Sequence, residues 1–199
     1  RIDSRGVITG VAAGQTTITA TAGGAKVSVV IQVNKPTVKW NVTYKTCPLQ
    51  FKKSTTALKA IGLQPGDKIV SYKSSNTKIA TVSKTGKIKA KKKKGSTKIT
   101  VTTQYGATAT ITIKAQKAPV KVTKLTVNKS KLTMKKGETF QLSVVKKYIT
   151  SRYKVKYIST KKKVATVSSK GKIKAKKKGK TMIVIKCNKK TKKVKVTVK

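Results

Sequence analysis

The sequence contains almost no acidic side chains and no histidine. Its acids are Asp3, Asp67 and Glu138, and it has two cysteines. Enzymes take their general acids, general bases and metal ligands from carboxylate, imidazole and thiol groups. These groups are too few and too far apart in the chain to build such a site, and three isolated acids cannot supply the oxygen ligands of a calcium site. The sequence therefore predicts a protein that is not an enzyme and has no cofactor or bound metal.

Long apolar runs are missing as well. No segment approaches the 18 or so consecutive apolar residues that suggest a transmembrane helix, and no charged-then-apolar leader is present. These residues predict neither a membrane span nor a signal peptide. The sequence opens within a repeat at Arg1, which is compatible with a leader or an anchor upstream.

Arginine is scarce in a chain that is otherwise strongly basic. Lysine and arginine together number 50 and the formal net charge is +47, but the only arginines are Arg1, Arg5 and Arg152. Lysine presents a point charge, whereas the planar arginine fork is better suited to reading phosphates and bases. The charge predicts diffuse attraction to polyanions within a screening length of about 8 Å. Nucleic acid ranks low among these polyanions because aromatic and arginine side chains are sparse.

The two cysteines, Cys47 and Cys187, lie in opposite halves of the chain. Because we assign them to different domains, we predict that they do not form a disulfide with each other. Cys187 is in phase with Ile183 and Ile185, which favours a buried thiol over a reactive one. Cys47 precedes Pro48 and is harder to place, and its pairing with another chain is an alternative.

A repeat organises the chain. Residues 74–82 and 86–90 recur 85 positions later as 159–167 and 171–175, and residues 6–20 carry the second half of the same pattern. Prolines mark the linkers near residues 34–36 and 116–119. The repeat predicts the C-terminal part of a first domain in residues 1–34, a second domain in 35–117 and a third in 118–199.

Apolar residues alternate with polar ones in the predicted strands. Val194, Val196 and Val198 share one face of the last strand, and glycine or asparagine turns separate the strands. No segment shows helical periodicity. We predict an all-β fold with two sandwiches of about 80 residues each, in line. Arg1 to Val33 lacks a front half, so we expect it to have open edges and a bare apolar face, and to be disordered alone or completed by another segment.

The repeated motif resembles the group 2 bacterial immunoglobulin-like domain, which occurs in intimin- and invasin-type adhesins. The motif consists of an aromatic residue, a Ser-Ser-Asn turn, a Val-Ala-Thr-Val strand and glycines between strands. In the second unit it is Tyr72, Ser74-Ser75-Asn76, Ile79-Ala80-Thr81-Val82, Gly86, Ile88, Gly95, Ile99 and Val101. In the third it is Tyr157, Val164-Ala165-Thr166-Val167, Gly171, Ile173, Gly179, Ile183 and Ile185. The resemblance implies tandem immunoglobulin-like β-sandwiches on a bacterial surface.

The second unit departs from this pattern in two ways. Tyr72 stands where the family usually has tryptophan. Its first 35 or so residues, with Trp40, Cys47-Pro48 and Phe51, also fit the family poorly. The front edge of this unit is therefore expected to be irregular or to pair unusually.

Three functional hypotheses remain open. The first is an extracellular, non-catalytic stalk or adhesion protein whose lysines contact anionic wall or host-surface polymers, with neighbouring immunoglobulin-like domains and self-assembly as further interactions. The second is a dedicated polyanion-binding module for teichoic acid, acidic glycan or nucleic acid. The third is an accessory region of an enzyme, which would depend on residues beyond this sequence.

Two sets of residues are candidates for binding. Lys91, Lys92, Lys93 and Lys94, and the equivalent Lys176, Lys177 and Lys178, form either solvated loops or repeated contacts for a polyanion. Trp40 and Tyr44 either pack on one strand face or form a platform for glycan stacking.

Overall fold

The computed structural model describes residues 1–199 and contains strands but no helix. The N-terminal segment has β1 (Gly14–Ala22) and β2 (Ala25–Val33). The next nine strands are β3 (Lys39–Trp40), β4 (Thr46–Gln50), β5 (Ser54–Thr55), β6 (Ala60–Ile61), β7 (Ile69–Ser74), β8 (Ala80–Val82), β9 (Ile88–Ala90), β10 (Gly95–Thr103) and β11 (Thr108–Gln116). The last nine are β12 (Lys124–Val127), β13 (Lys131–Met134), β14 (Thr139–Gln141), β15 (Val144–Lys147), β16 (Lys156–Ser159), β17 (Ala165–Val167), β18 (Lys172–Ala175), β19 (Gly179–Cys187) and β20 (Lys190–Val198).

Each set of nine strands forms one sandwich with the same topology. The first sandwich has a four-stranded sheet in the order β4-β11-β10-β7 and a three-stranded sheet in the order β5-β9-β8. The second has β13-β20-β19-β16 and β14-β18-β17. A short pair, β3-β6 or β12-β15, completes each unit. The predicted all-β fold with no helix is therefore confirmed.

Alternation along the long strands places one apolar face of each sheet in the core. Ile99 and Val101 of β10 are fully buried, as are Ile183 and Ile185 of β19. Each sandwich has its own cluster of 13 buried residues. Two separate cores of this kind are what a tandem of independent sandwiches requires.

The Ser-Ser-Asn motif has a structural role. The Ser74 hydroxyl donates to the Ala80 carbonyl at 2.7 Å, and the Asn76 amide donates to Thr97 Oγ1 at 2.8 Å. In the second sandwich Ser159 donates to the Ala165 carbonyl at 2.6 Å. These bonds satisfy polar groups where the chain crosses from one sheet to the other, so the motif is explained by folding alone.

The N-terminal segment forms an antiparallel hairpin without a core. Strands β1 and β2 pair from Gly14 with Val33 to Ala22 with Ala25. Val27 is 73 % exposed and Val29, on the same face of β2, is 49 % exposed, so the predicted bare apolar face is present. The two strands pair with each other along their whole length, and the ladder satisfies the backbone groups that face between them. That another segment covers this face stays a prediction.

Candidate functional site: the joint between the sandwiches and the basic surface

The loop after β15 packs against the first sandwich. The backbone N–H of Ile149 donates to the Tyr44 hydroxyl at 3.0 Å, and the Tyr148 ring meets the Tyr44 ring edge-on with centroids 5.2 Å apart. The side chain of Ile149 packs against the core of the first sandwich. Edge-to-face aromatic pairs add about 0.5–1.5 kcal/mol beyond the burial of their area. This contact joins two domains that have separate cores.

Thr150 makes a second contact across the same joint. Its hydroxyl donates to the Pro48 carbonyl at 2.6 Å and lies 3.5 Å from Cys47 Sγ. Thr150 and Cys47 are both buried. A buried hydroxyl without a partner would cost about 1–3 kcal/mol, so this bond helps to fix the relative position of the two sandwiches.

Hydrogen bonds in the second sandwich and in the linker hold the segments beside the joint in place. The Lys146 ammonium donates to the carbonyls of Ser151 and Tyr153 at 2.8 and 3.0 Å, which holds the loop in shape. In the linker, Gln116 Nε2 donates to the Ala118 carbonyl at 2.9 Å, and Val120 is buried. The connection between the sandwiches is therefore packed and hydrogen-bonded.

Both cysteines are buried free thiols, which confirms the prediction that they do not pair with each other. Burial raises the pKa of the Cys47 thiol, and the neighbouring Thr150 and Tyr44 hydroxyls only partly oppose this shift. Burial also raises the pKa of Cys187. The Tyr44 hydroxyl likewise has a raised pKa because it is desolvated in the joint. All three groups are therefore uncharged at neutral pH.

The two residues of the suggested stacking platform both pack against the first core. Trp40 is 7 % exposed and packs in the first core, with its ring 6.3 Å from that of Tyr72. Tyr44 is half-buried in the joint. A sugar needs an exposed ring face, so this geometry supports the packing interpretation and not the platform.

The seven loop lysines are fully accessible. Lys91 to Lys94 connect β9 to β10, Lys176 to Lys178 connect β18 to β19, and all are exposed. The single ion pair in the structure joins Arg5 to Asp3, so none of these lysines is neutralised by a protein carboxylate. Their position leaves them free to contact a polyanion, and that role stays a proposal.

The outer face of the second four-stranded sheet is a further basic surface. Lys131 lies opposite Lys195, and Lys156 lies opposite Lys186. Six lysines face outward on this sheet: Lys131, Lys156, Lys180, Lys186, Lys193 and Lys195. The equivalent face of the first sandwich has three: Lys73, Lys98 and Lys114. Facing like charges are destabilising, so the second sandwich carries the larger electrostatic cost.

Comparison with known proteins agrees with this architecture. Residues 39–113 and 121–198 each match the bacterial Ig-like domain (group 2). The chain belongs to this family. Each match lies within one sandwich, and the joint residues Tyr44, Pro48 and Thr150 lie inside the matched ranges. None of the curated proteins compared with the chain matches it.

Several solved structures are similar to parts of this chain. Domains 4 and 5 of the S-layer protein SbsC are 23 % identical over 71 % of this chain and 82 % of theirs, with a TM-score of 0.39. A longer SbsC structure is 18 % identical over 99 % of this chain and 36 % of its own, with a TM-score of 0.40. Drosophila N-cadherin EC1-3 is 8 % identical over 87 % of this chain and 72 % of its own, with a TM-score of 0.46.

No group of three or more histidine, cysteine, aspartate or glutamate side chains is arranged to hold a metal ion. None of the segments forms a helix with the length and apolar character that crossing a membrane requires.

Proposed function

We propose that this chain is a non-catalytic structural segment of a bacterial cell-surface protein, in which packed joints between group 2 domains set the spacing and orientation of neighbouring parts. The packed joint carries this proposal. Tyr44, Ile149 and Thr150 fix the two sandwiches by an aromatic contact and two hydrogen bonds. A freely hinged tandem would need only a flexible linker. Family membership supports the surface location.

Antibody labelling of intact cells tests the location. An antibody raised against the folded fragment is expected to label intact cells of the bacterium that encodes the chain. A cytoplasmic protein labelled in the same samples controls for lysis. Labelling that appears only after the cells are permeabilised would contradict a surface location.

A second function is supported by the unneutralised loop lysines. We infer that they hold the stalk against anionic wall or host-surface polymers such as teichoic acid. Each phosphate neutralised by a lysine releases counterions, so affinity falls steeply with salt. This contact is compatible with the structural role, because the lysine loops lie outside the joint contacts described above.

Substitution of the loop lysines tests this contact. Replacing Lys91 to Lys94 and Lys176 to Lys178 by serine is expected to reduce the slope of log affinity against log salt for teichoic acid, measured from ~50 to 300 mM salt. A matched variant that replaces seven lysines of the outer sheet faces controls for net charge. If the loop variant leaves the slope unchanged, or both variants reduce it equally, the loops are not a specific contact.

A further inference from the structure

A cavity opens at the joint, with walls from both sandwiches. Its volume is about 240 Å³. The floor includes Leu49 and Val120, both almost fully buried, and the polar lining includes Lys53, Ser54, Arg152 and Tyr153. This volume is below the roughly 300–1,000 Å³ of pockets for drug-sized ligands, so it suits a smaller molecule.

The backbone places Lys53 at the edge of the cavity. The preceding Lys52 has a φ of 60°, a left-handed conformation that turns the chain back after β4. The Lys52 amide donates to the Ala90 carbonyl, and the Ala90 amide donates to the Lys53 carbonyl, both at 3.0 Å. A left-handed non-glycine residue persists only where its surroundings hold it. The position of Lys53 is therefore built into the fold of the first sandwich.

The second sandwich holds Arg152 and Tyr153 on the other side. The Tyr153 carbonyl accepts hydrogen bonds from Lys146 Nζ at 3.0 Å and from Cys187 Sγ at 3.4 Å. Tyr153 is 37 % exposed and lines the cavity. Arg152 is the only arginine outside the N-terminal segment. The cavity lining thus combines this one arginine with an aromatic residue whose backbone is held by hydrogen bonds.

The two cations at the cavity have no protein counter-ion. The ion pair between Arg5 and Asp3 is the only one in the structure, and no aspartate or glutamate lines the cavity. A guanidinium presents a planar fork that binds a carboxylate or phosphate through two parallel hydrogen bonds. Arg152 and Lys53, one from each sandwich, are therefore available to bind an anionic group at the cavity.

We propose that this cavity binds one sugar unit that carries a single anionic group, either a carboxylate or a phosphate. Arg152 and Lys53 bind the anionic group, and the sugar ring packs against Tyr153 and the apolar floor. The two cations belong to different sandwiches, so a bound unit stabilises their docked arrangement. The proposal rests on the packed joint of the proposed function and adds a ligand class and a second site, distinct from the lysine loops.

Titration with single sugars tests the site without the multivalency of a polymer. Galacturonate, galactose 6-phosphate and neutral galactose are added to the whole chain at about 150 mM salt, where long-range attraction is screened. At least one of the two acidic sugars is expected to shift the amide resonances of residues 49–54 and 150–153, and galactose is not. The tighter of the two acidic sugars identifies the anionic group.

Charge-removing variants locate the contact. Charge-assisted hydrogen bonds contribute about 1.5–3 kcal/mol, so Arg152→Gln and Lys53→Gln are each expected to weaken binding by about 10- to 100-fold. Arg5→Gln removes an arginine outside both sandwiches and is expected to change the affinity less than about twofold. The proposal is overturned if no acidic sugar binds, if galactose binds as tightly, or if Arg5→Gln weakens binding as much as Arg152→Gln.

Measuring sugar binding and the tumbling of the two sandwiches in the wild-type chain distinguishes a wrong ligand assignment from a wrong joint. If no acidic sugar binds while the two sandwiches tumble as one body, the ligand assignment is wrong and the structural role stands. If the sandwiches move independently, the joint itself is wrong, and the cavity built on it is overturned as well.

Discussion

Replacing Tyr44 by alanine is expected to uncouple the two sandwiches while leaving both folded. The substitution removes the ring that Tyr148 packs against and the hydroxyl that accepts the Ile149 N–H. Loss of a large aromatic contact and of one hydrogen bond is expected to cost the docked state about 2–4 kcal/mol. The joint would then open in a large fraction of molecules.

Cys47 reports this opening. Its side chain is fully buried, with Thr150 of the second sandwich 3.5 Å from its sulfur. In a Cys187→Ser background, Tyr44→Ala is expected to accelerate maleimide labelling of Cys47 at least tenfold. Tyr148→Ala, which removes the partner ring and leaves the Tyr44 hydroxyl beside Cys47, is expected to accelerate it as well. Tyr105→Ala is the matched control, because Tyr105 is an exposed tyrosine of the first sandwich. A labelling rate of Tyr148→Ala equal to that of Tyr105→Ala would show that the aromatic contact does not hold the joint closed.

Replacing Gly171 by alanine is expected to destabilise the second sandwich strongly. Gly171 has a φ of +84°, and an added Cβ would lie 2.8 Å from the Leu142 carbonyl oxygen and 3.1 Å from the Tyr157 ring. The carbonyl belongs to the backbone, and Leu142 is buried and its amide donates to the Gly171 carbonyl. The clash therefore adds to the conformational strain, and we expect a loss of about 3 kcal/mol or more.

Gly137 provides the matched control. It has a φ of +89°, but an added Cβ would meet nothing within 4 Å. Gly137→Ala is expected to cost only the conformational strain, about 1–2 kcal/mol. Calorimetry should show a drop of about 12 °C or more in the melting temperature of the second sandwich for Gly171→Ala, and clearly less for Gly137→Ala. Equal losses would mean that the close approach to Leu142 is not a constraint.

The strands and cores could be predicted because their signals are local. Alternation at Ile183 and Ile185 gives the buried face of β19 directly, and Cys187 continues the same phase into the core. The repeat then transfers the assignment from one sandwich to the other. A two-residue period depends on the geometry of the strand itself, so it can be recognised in the sequence without knowing which distant residues are in contact.

The joint could not be predicted in the same way. Tyr148, Ile149 and Thr150 lie in a loop without periodicity, and their partners are more than 100 residues away in the chain. The one sequence signal was the poor fit of Cys47-Pro48 to the family pattern. In the structure these two residues contact the Thr150 hydroxyl, so the departure from the family pattern coincides with the joint. The pattern marked the position as unusual but did not identify its contact.

The environment of Trp40 could not be predicted from residue spacing either. Its even spacing with Tyr44 is compatible with either a packed strand face or an exposed platform. Only the position of the surrounding strands decides between them: Trp40 lies against Tyr72 in the core, and Tyr44 extends into the joint. Its indole N–H is buried without a hydrogen-bond partner, a cost that neither spacing nor composition reveals.

The central claim is that the joint fixes one sandwich against the other. Residual dipolar couplings of the backbone amides, measured separately for residues 39–113 and 121–198 of the whole chain in one alignment medium, test it most directly. We expect both sets to fit a single alignment tensor with the orientation given by the structure. Two tensors of different magnitude would show independent motion of the sandwiches and would contradict the claim.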